Sequence, residues 1–296
     1  MPKKKFIGRG LRVACVVLRP WHCVHSEAMR TPLVFFAMFV VLAQTGNTAT
    51  LASVYLEELT TAEVTVALRD GHTTIIIPVG GMEQNGPHMA LGKHNVRARA
   101  LSGKVAELLG NAIVAPVLAY VPEGNITPPT EHMRFAGTIS VPEAAFKGIL
   151  EGAARGFKQH GFRDIVLLGD HGGYQGALQS VAANLNRDWA KSAVRVHFIG
   201  EYYRATQTSY VEALKSKGLT DAQIGIHAAT ADTSLMMAVD PALVKPGLFA
   251  QAAREGRAGG TSGDPRPSSA ALGQLGVDAI VQQSVAAIRQ AVSAPR

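Results

Sequence analysis

Three short polar clusters in this chain carry the side chains able to do chemistry, and each directly follows an apolar run or opens a helix-forming one. The first is Gly80-Gly81-Met82-Glu83-Gln84-Asn85-Gly86-Pro87-His88-Met89-Ala90-Leu91-Gly92-Lys93-His94-Asn95. A carboxylate (Glu83), an amide (Asn85) and two imidazoles (His88, His94) on a Gly/Pro-rich turn supply hard and borderline ligands for a divalent cation such as zinc or manganese. The second is Gly169-Asp170-His171-Gly172-Gly173, whose glycines let the backbone bend sharply and approach a ligand closely. The third runs from His227 through Asp232, Thr233 and Ser234. Taken singly, such Gly-rich turns with a histidine also serve as helix caps and anion sites, so the chemical reading needs the clusters together.

The elements that must position them are legible as periodicity. The apolar runs 74–79, 113–119, 165–168 and 194–199, bounded by Gly, Pro or charged residues, predict strands. Stripes at Leu101, Val105, Leu108 and Leu109, at Phe146, Ile149, Leu150, Ala153 and Phe157, at Leu178, Val181 and Leu185, and from Val277 to Val292 predict helices. Strands that are apolar throughout and separated by helices imply an α/β fold with a mainly parallel sheet covered on both faces. In such folds the ligand site lies beyond the strand C-termini, which is where the first two clusters fall. With no fixed-period repeat and no linker before Gly256, residues 53–296 read as one domain.

In order and content the clusters resemble the creatininase (creatinine amidohydrolase) family. GGMEQNGPHMALGKHN resembles the family's Gly-rich turn carrying Glu-Gln-His-Gly-x-His and then an Asp. The likeness continues through His132, FAGTISV at 135–141, GDHGG at 169–173, HAATADTSLMMAVDPALV from His227 and GTSGDPRPSSAALG at 260–273, over roughly residues 57–292. The resemblance implies a three-layer α/β/α fold and a metal centre, often dinuclear. It implies hydrolysis of a C–N bond in a small linear or cyclic amide by metal-activated water, and a homo-oligomer, hexameric in creatininase itself. Carried over by position, Glu83 and His171 fall on metal ligands, His227 falls on the proton-shuttling histidine, and Glu83 and His227 are the expected catalytic residues. His94 stands where the family has its metal-bridging Asp, Asn85 where it has a ligand His, and Asp232 where it has a Glu. Gly173 stands where creatininase has a further Glu.

A carboxylate bridges two cations with two oxygens, whereas a neutral imidazole offers one lone pair. These departures therefore favour one ion over two, zinc or alternatively manganese, held by Glu83, His94 and His171 and completed by Asp232 or His88. They also leave open a metal-poor relative that binds a small molecule without turning it over. In the Pro-rich loop 122–135, His132 and Arg134 are expected to line the substrate pocket, with Arg134 facing either a substrate carboxylate or a surface acid. Asp170 is expected either to orient the neighbouring ligand histidine or to cap the helix that follows.

The formal charge of the 296-residue chain is +7, which invites a nucleic-acid partner. Seven of the basic residues, Lys3, Lys4, Lys5, Arg9, Arg12, Arg19 and Arg30, lie in residues 1–49 against Glu27 alone, leaving the remainder at +1 with no basic face for a phosphate backbone. Residues 33–43, LVFFAMFVVLA, follow Arg30 and precede QTGNTAT, the order of a secretory signal peptide and too short for a bilayer span. Residues 1–52 thus read as an extension and signal peptide, the body as periplasmic or secreted, with no stable membrane span in the mature form. Both cysteines, Cys15 and Cys23, fall in that segment, so neither a disulfide framework nor a thiolate site is expected in the body. An exported solute-binding protein would need two lobes and a hinge, and a serine hydrolase would need Gly-x-Ser-x-Gly on a strand-to-helix elbow. Neither pattern is present.

Overall fold

A computed structural model describes residues 51–295. The expected leader falls outside the described residues except for Leu51 and Ala52. Among the described residues four strands, β1 (Thr74–Val79), β2 (Ala112–Val114), β3 (Asp164–Gly169) and β4 (Arg195–Phe198), form one sheet in the order β2-β1-β3-β4, parallel throughout. The helices are α1 (Thr61–Arg69), α2 (Lys93–Leu109), α3 (Glu143–His160), α4 (Gln175–Asp188), α5 (Glu201–Gln207), α6 (Ser209–Ser216), α7 (Asp221–Ile224), α8 (Thr230–Val239), α9 (Phe249–Glu255) and α10 (Ala270–Ser293).

Every residue of β1 and β3 is buried, because the sheet is covered on both sides and successive side chains point to opposite faces. Ile75, Ile77, Ile165 and Leu167 pack with Phe146, Leu150 and Ala154 of α3 and Leu178, Val181 and Leu185 of α4. The intervening Ile76, Val166 and Leu168 pack with Leu101 and Val105 of α2, Tyr202 of α5, and Val277, Ile280 and Val281 of α10. These are the three layers the periodicity predicts. The second strand is shorter than its apolar run: the ladder register ends at Val114, and the chain rejoins β1 through the Ala115 N–H to Ile76 carbonyl bond (2.8 Å) and a bridge between Leu118 and Val79. Helices α2 and α3 both end on a glycine in the left-handed region, Gly110 (φ 78°) and Gly161 (φ 106°), at the positions where the stripes stop. No described helix is long and apolar enough to cross a membrane.

The sheet also fixes where the polar clusters meet. The Tyr174 hydroxyl lies 2.8 Å from the carbonyl of Val79 and 2.7 Å from that of Gly80, and receives the His171 N–H at 2.9 Å. One buried tyrosine therefore ties the ends of β1 and β3 together, and with them the turns bearing Glu83 and His171.

Replacing the fully buried Phe146 by Ala is expected to lower the stability by roughly 3–5 kcal/mol, because the side-chain transfer energy is lost and a cavity is left. Tyr120→Ala, at a side chain 57% exposed, is expected to change it by less than about 0.5 kcal/mol. Urea denaturation of both variants checks the contrast.

Candidate metal centre

Four side chains from three loops converge beyond the strand ends. Glu83 comes from the turn after β1, His171 from the turn after β3, and Glu123 and His132 from the long connection between β2 and α3. That connection is pinned near Glu123 by the Val141 N–H to Val121 carbonyl bond (3.2 Å) and by Ser140, whose hydroxyl accepts the Glu123 N–H at 3.0 Å and donates to the Gly124 carbonyl at 2.7 Å. Glu131, just before His132, is held in the left-handed region at φ 45°, a strained conformation for a non-glycine residue at the rim of the cluster. Gly81 (φ 147°) is required here, since a Cβ on it would lie 2.6 Å from Glu123 Oε1.

One ligand atom from each of Glu83, Glu123, His132 and His171 lies within 4.8 Å of all the others. Glu83 Oε2 is 3.1 Å from His132 Nε2 and 3.5 Å from His171 Nε2, yet neither approach has the geometry of a hydrogen bond. Both Glu123 oxygens are likewise buried without a hydrogen-bond partner among the described residues, and His171 Nδ1 is 3.7 Å from Glu123 Oε2. Tetrahedral ligands about 2.0–2.1 Å from a zinc ion stand roughly 3.3 Å apart, so these spacings, and three orphaned buried carboxylate oxygens, fit a divalent cation.

The electrostatics separate the two carboxylates. Burial opposes ionisation of Glu83, but Lys93 and His94 outweigh it and hold the carboxyl well below its ordinary range. Burial and the charge on Glu83 push Glu123 up to about 8, outweighing the opposite pull of His94 and Lys93. Burial, reinforced by the charges of His94 and Lys93, brings His171 down to about 3, so its imidazole is neutral. His132 is lowered in the same direction, mainly by burial.

Beside this cluster runs a closed circuit of ion pairs. Glu83 Oε1 meets His94 Nε2 at 2.8 Å; His94 Nδ1 meets Asp170 Oδ2 at 2.6 Å; Arg97 donates to Asp170 Oδ2 at 2.7 Å and to Asp232 Oδ1 at 2.8 Å. Lys93 Nζ then joins Asp232 Oδ2 (3.0 Å) back to Glu83 Oε1 (3.2 Å). All three bases sit in the first turns of α2, whereas the acids come from the ends of β1 and β3 and from the first turn of α8. Asp232 is placed there by accepting the Ala228 N–H at 3.0 Å, and Asp170 also accepts the Tyr202 hydroxyl at 2.9 Å.

The expected ligand set is thus rearranged. Glu83 and His171 lie in the cluster as anticipated, but His94 and Asp232 do not join it: His94 has both ring nitrogens engaged by carboxylates, and Asp232 is neutralised by Lys93 and Arg97. The candidate cluster includes instead Glu123 and His132, the latter anticipated as a pocket residue. Asp170 orients His94 rather than the adjacent His171. His88 is packed away in a separate core, its Nε2 3.0 Å from Thr233 Oγ1 and its ring edge-on to Phe249. Asn85 clamps its own turn by donating to the carbonyls of Glu83 (2.9 Å) and Ala90 (3.0 Å).

His227 reaches the cluster through its backbone pairing with Ser262. Its ring centre lies 4.7 Å from that of His132 with the planes tilted by 47°, and its Nδ1 lies 3.7 Å from Glu83 Oε1. It stands between a cavity of about 100 Å³ lined by Glu83, His171, Tyr203 and Asp232 and a wider groove lined by His132, Arg134, Arg257 and Thr261.

A profile of the creatininase family, described as creatinine amidohydrolase, matches residues 57–288. The chain belongs to the creatininase family. Creatinine amidohydrolase of Pseudomonas putida is 29% identical over 201 residues, which span 65% of this chain and 74% of that protein. The mycofactocin precursor peptide peptidase of Mycolicibacterium smegmatis is 36% identical over 116 residues, 38% of this chain and 44% of the relative, so the chain spans less than half the length of that peptidase. The crystal structure of creatininase, at 25% identity, superposes with a TM-score of 0.68 over 82% of this chain and 100% of that one, and further creatininase structures are described as manganese and Zn–Zn forms.

Because Glu123 is held up to about 8, it is protonated at pH 7 without a cation and must lose that proton to become a ligand. Calorimetric titration with Zn²⁺ in buffers of different ionisation enthalpy is expected to show about one proton released at pH 7, with apparent affinity rising up to about pH 8 and then levelling. Glu123→Gln is expected to abolish that release and to weaken binding.

Proposed function

We propose that this chain is a metal-dependent amidohydrolase that cleaves a C–N bond of a small linear or cyclic amide. The observation that carries the reading is the convergence of Glu83, Glu123, His132 and His171 with three buried carboxylate oxygens left unpartnered. These four residues would hold a divalent cation, zinc or manganese. When bound, such an ion polarises an amide carbonyl and acidifies water at neutral pH.

The remaining chemistry belongs to the chain. His227 Nε2 lies 2.9 Å from the Gln84 carbonyl and 3.1 Å from the Gln84 side-chain amide nitrogen; in the tautomer that donates to the carbonyl, Nδ1, 3.7 Å from Glu83 Oε1, is the basic nitrogen. Burial and the charge of Lys93 bring His227 down to about 4, so it is unprotonated across the neutral range, at the expense of basic strength. Its role is to take a proton from water and return it to the leaving nitrogen. The groove beyond His132 and His227 receives the rest of the substrate, and Arg134 and Arg257 on its wall favour a carboxylate or carbonyl there. The basic flank, short apolar run and small-residue exit of residues 30–49 support export of the protein. A homo-oligomer is part of the same proposal by family likeness.

Stripping the metal with chelator is expected to abolish hydrolysis across a panel of lactams, formamides and peptide amides, and Zn²⁺ or Mn²⁺ to restore it. Turnover indifferent to metal removal would overturn the proposal. His227→Ala is expected to keep the metal content and to lower turnover by roughly 10²–10⁴-fold; unchanged turnover would remove it from the mechanism.

A further inference from the structure

Lys93 is 1% exposed, with its ammonium set among carboxylates rather than in water. Its two charge partners come from different elements, Glu83 Oε1 at 3.2 Å and Asp232 Oδ2 at 3.0 Å. Arg97 repeats the pattern one turn along α2, bridging Asp170 and Asp232. The oxygens on this side of the site are therefore engaged: Glu83 Oε1 by Lys93 and His94, Asp232 by Lys93, Arg97 and the Ala228 N–H, and Asp170 by Arg97, His94 and the Tyr202 hydroxyl. On the other side, Glu83 Oε2 and both oxygens of Glu123 have no hydrogen-bond partner among the described residues. The two oxygens of one carboxylate thus face two different environments. One is neutralised by groups of the chain, and the other faces a cluster that still lacks a positive charge.

A compact ammonium held between two carboxylates from separate elements makes the contacts a bridging cation would make, but it offers no open coordination position. We infer that Lys93 is a built-in substitute for a second metal ion, so that the chain binds one divalent cation, in the Glu83–Glu123–His132–His171 half of the site. The inference rests on the metal-dependent reading above and specifies its stoichiometry. Removing the ammonium would leave Glu83 and Asp232 with an unbalanced charge at a point both can reach, and a second divalent ion would bind there.

Equilibrium dialysis of the purified protein against Zn²⁺, and separately Mn²⁺, followed by elemental analysis tests this directly. The expected result is one ion per chain for the wild type and for Lys93→Arg, and two for Lys93→Ala, with the folded state of each variant checked by circular dichroism. Two ions in the wild type, or one in a folded Lys93→Ala, would overturn the inference. Should Lys93→Ala fail to fold, the wild-type count decides alone: one ion supports the inference and two refute it. A wild type that takes up no ion would overturn the metal-dependent reading and this inference with it, whereas a count of two leaves that reading standing.

Discussion

A carboxylate taken out of water needs a cation or several hydrogen-bond donors beside it, and the circuit Glu83, His94, Asp170, Arg97, Asp232, Lys93 is how this fold meets that need. Positive and negative groups alternate around it, so no charge is left buried alone. The acids belong to three separate segments and the bases to one helix, and the circuit therefore docks the start of α2 against the turns after β1 and β3 and the start of α8. Three basic residues at a helix N-terminus oppose the helix dipole, an arrangement sustained here by the acids that surround them.

That circuit makes the two carboxylates of the metal cluster unlike each other. Glu83 is ionised because Lys93 and His94 are already in contact with it, while Glu123, packed nearby with no cation of its own, holds its proton to about pH 8. Two adjacent carboxylates cannot both ionise in a dry pocket without a compensating positive charge, and an incoming cation supplies one. The histidines complete the arrangement, since burial keeps His171 and His132 in the neutral form that a metal requires.

Much of the architecture was readable from local pattern. Runs such as 74–79 and 165–168 are too continuously apolar for a half-exposed sheet, and the stripes of α3 and α10 have helical spacing ended by glycine or by the polar residues after Val292. The short extent of β2 was not readable, because the apolar residues after Val114 turn back towards β1 by loop contacts rather than by ladder pairing. In the site, Glu83 and His171 were legible from strand-end glycine turns. Glu123 was not: it sits in a Pro- and Gly-rich connection with no histidine beside it, and the bonds of Val141 to Val121 and of Ser140 to Glu123 and Gly124 carry it inward. Nothing in the spacing of Lys93 and Arg97 says which helix face meets the acids, so their pairing was not legible.

The sequence by itself determined the layers, the strand ends at which chemistry collects and the family, because periodicity and ordered motifs are properties of neighbouring residues. Tertiary structure alone decided which side chains form the candidate cation cluster and which neutralise one another. That choice depends on distances between segments dozens of residues apart, so His94 and Asp232, which motif position places among the ligands, are drawn into ion pairs, while Glu123 and His132 close the cluster.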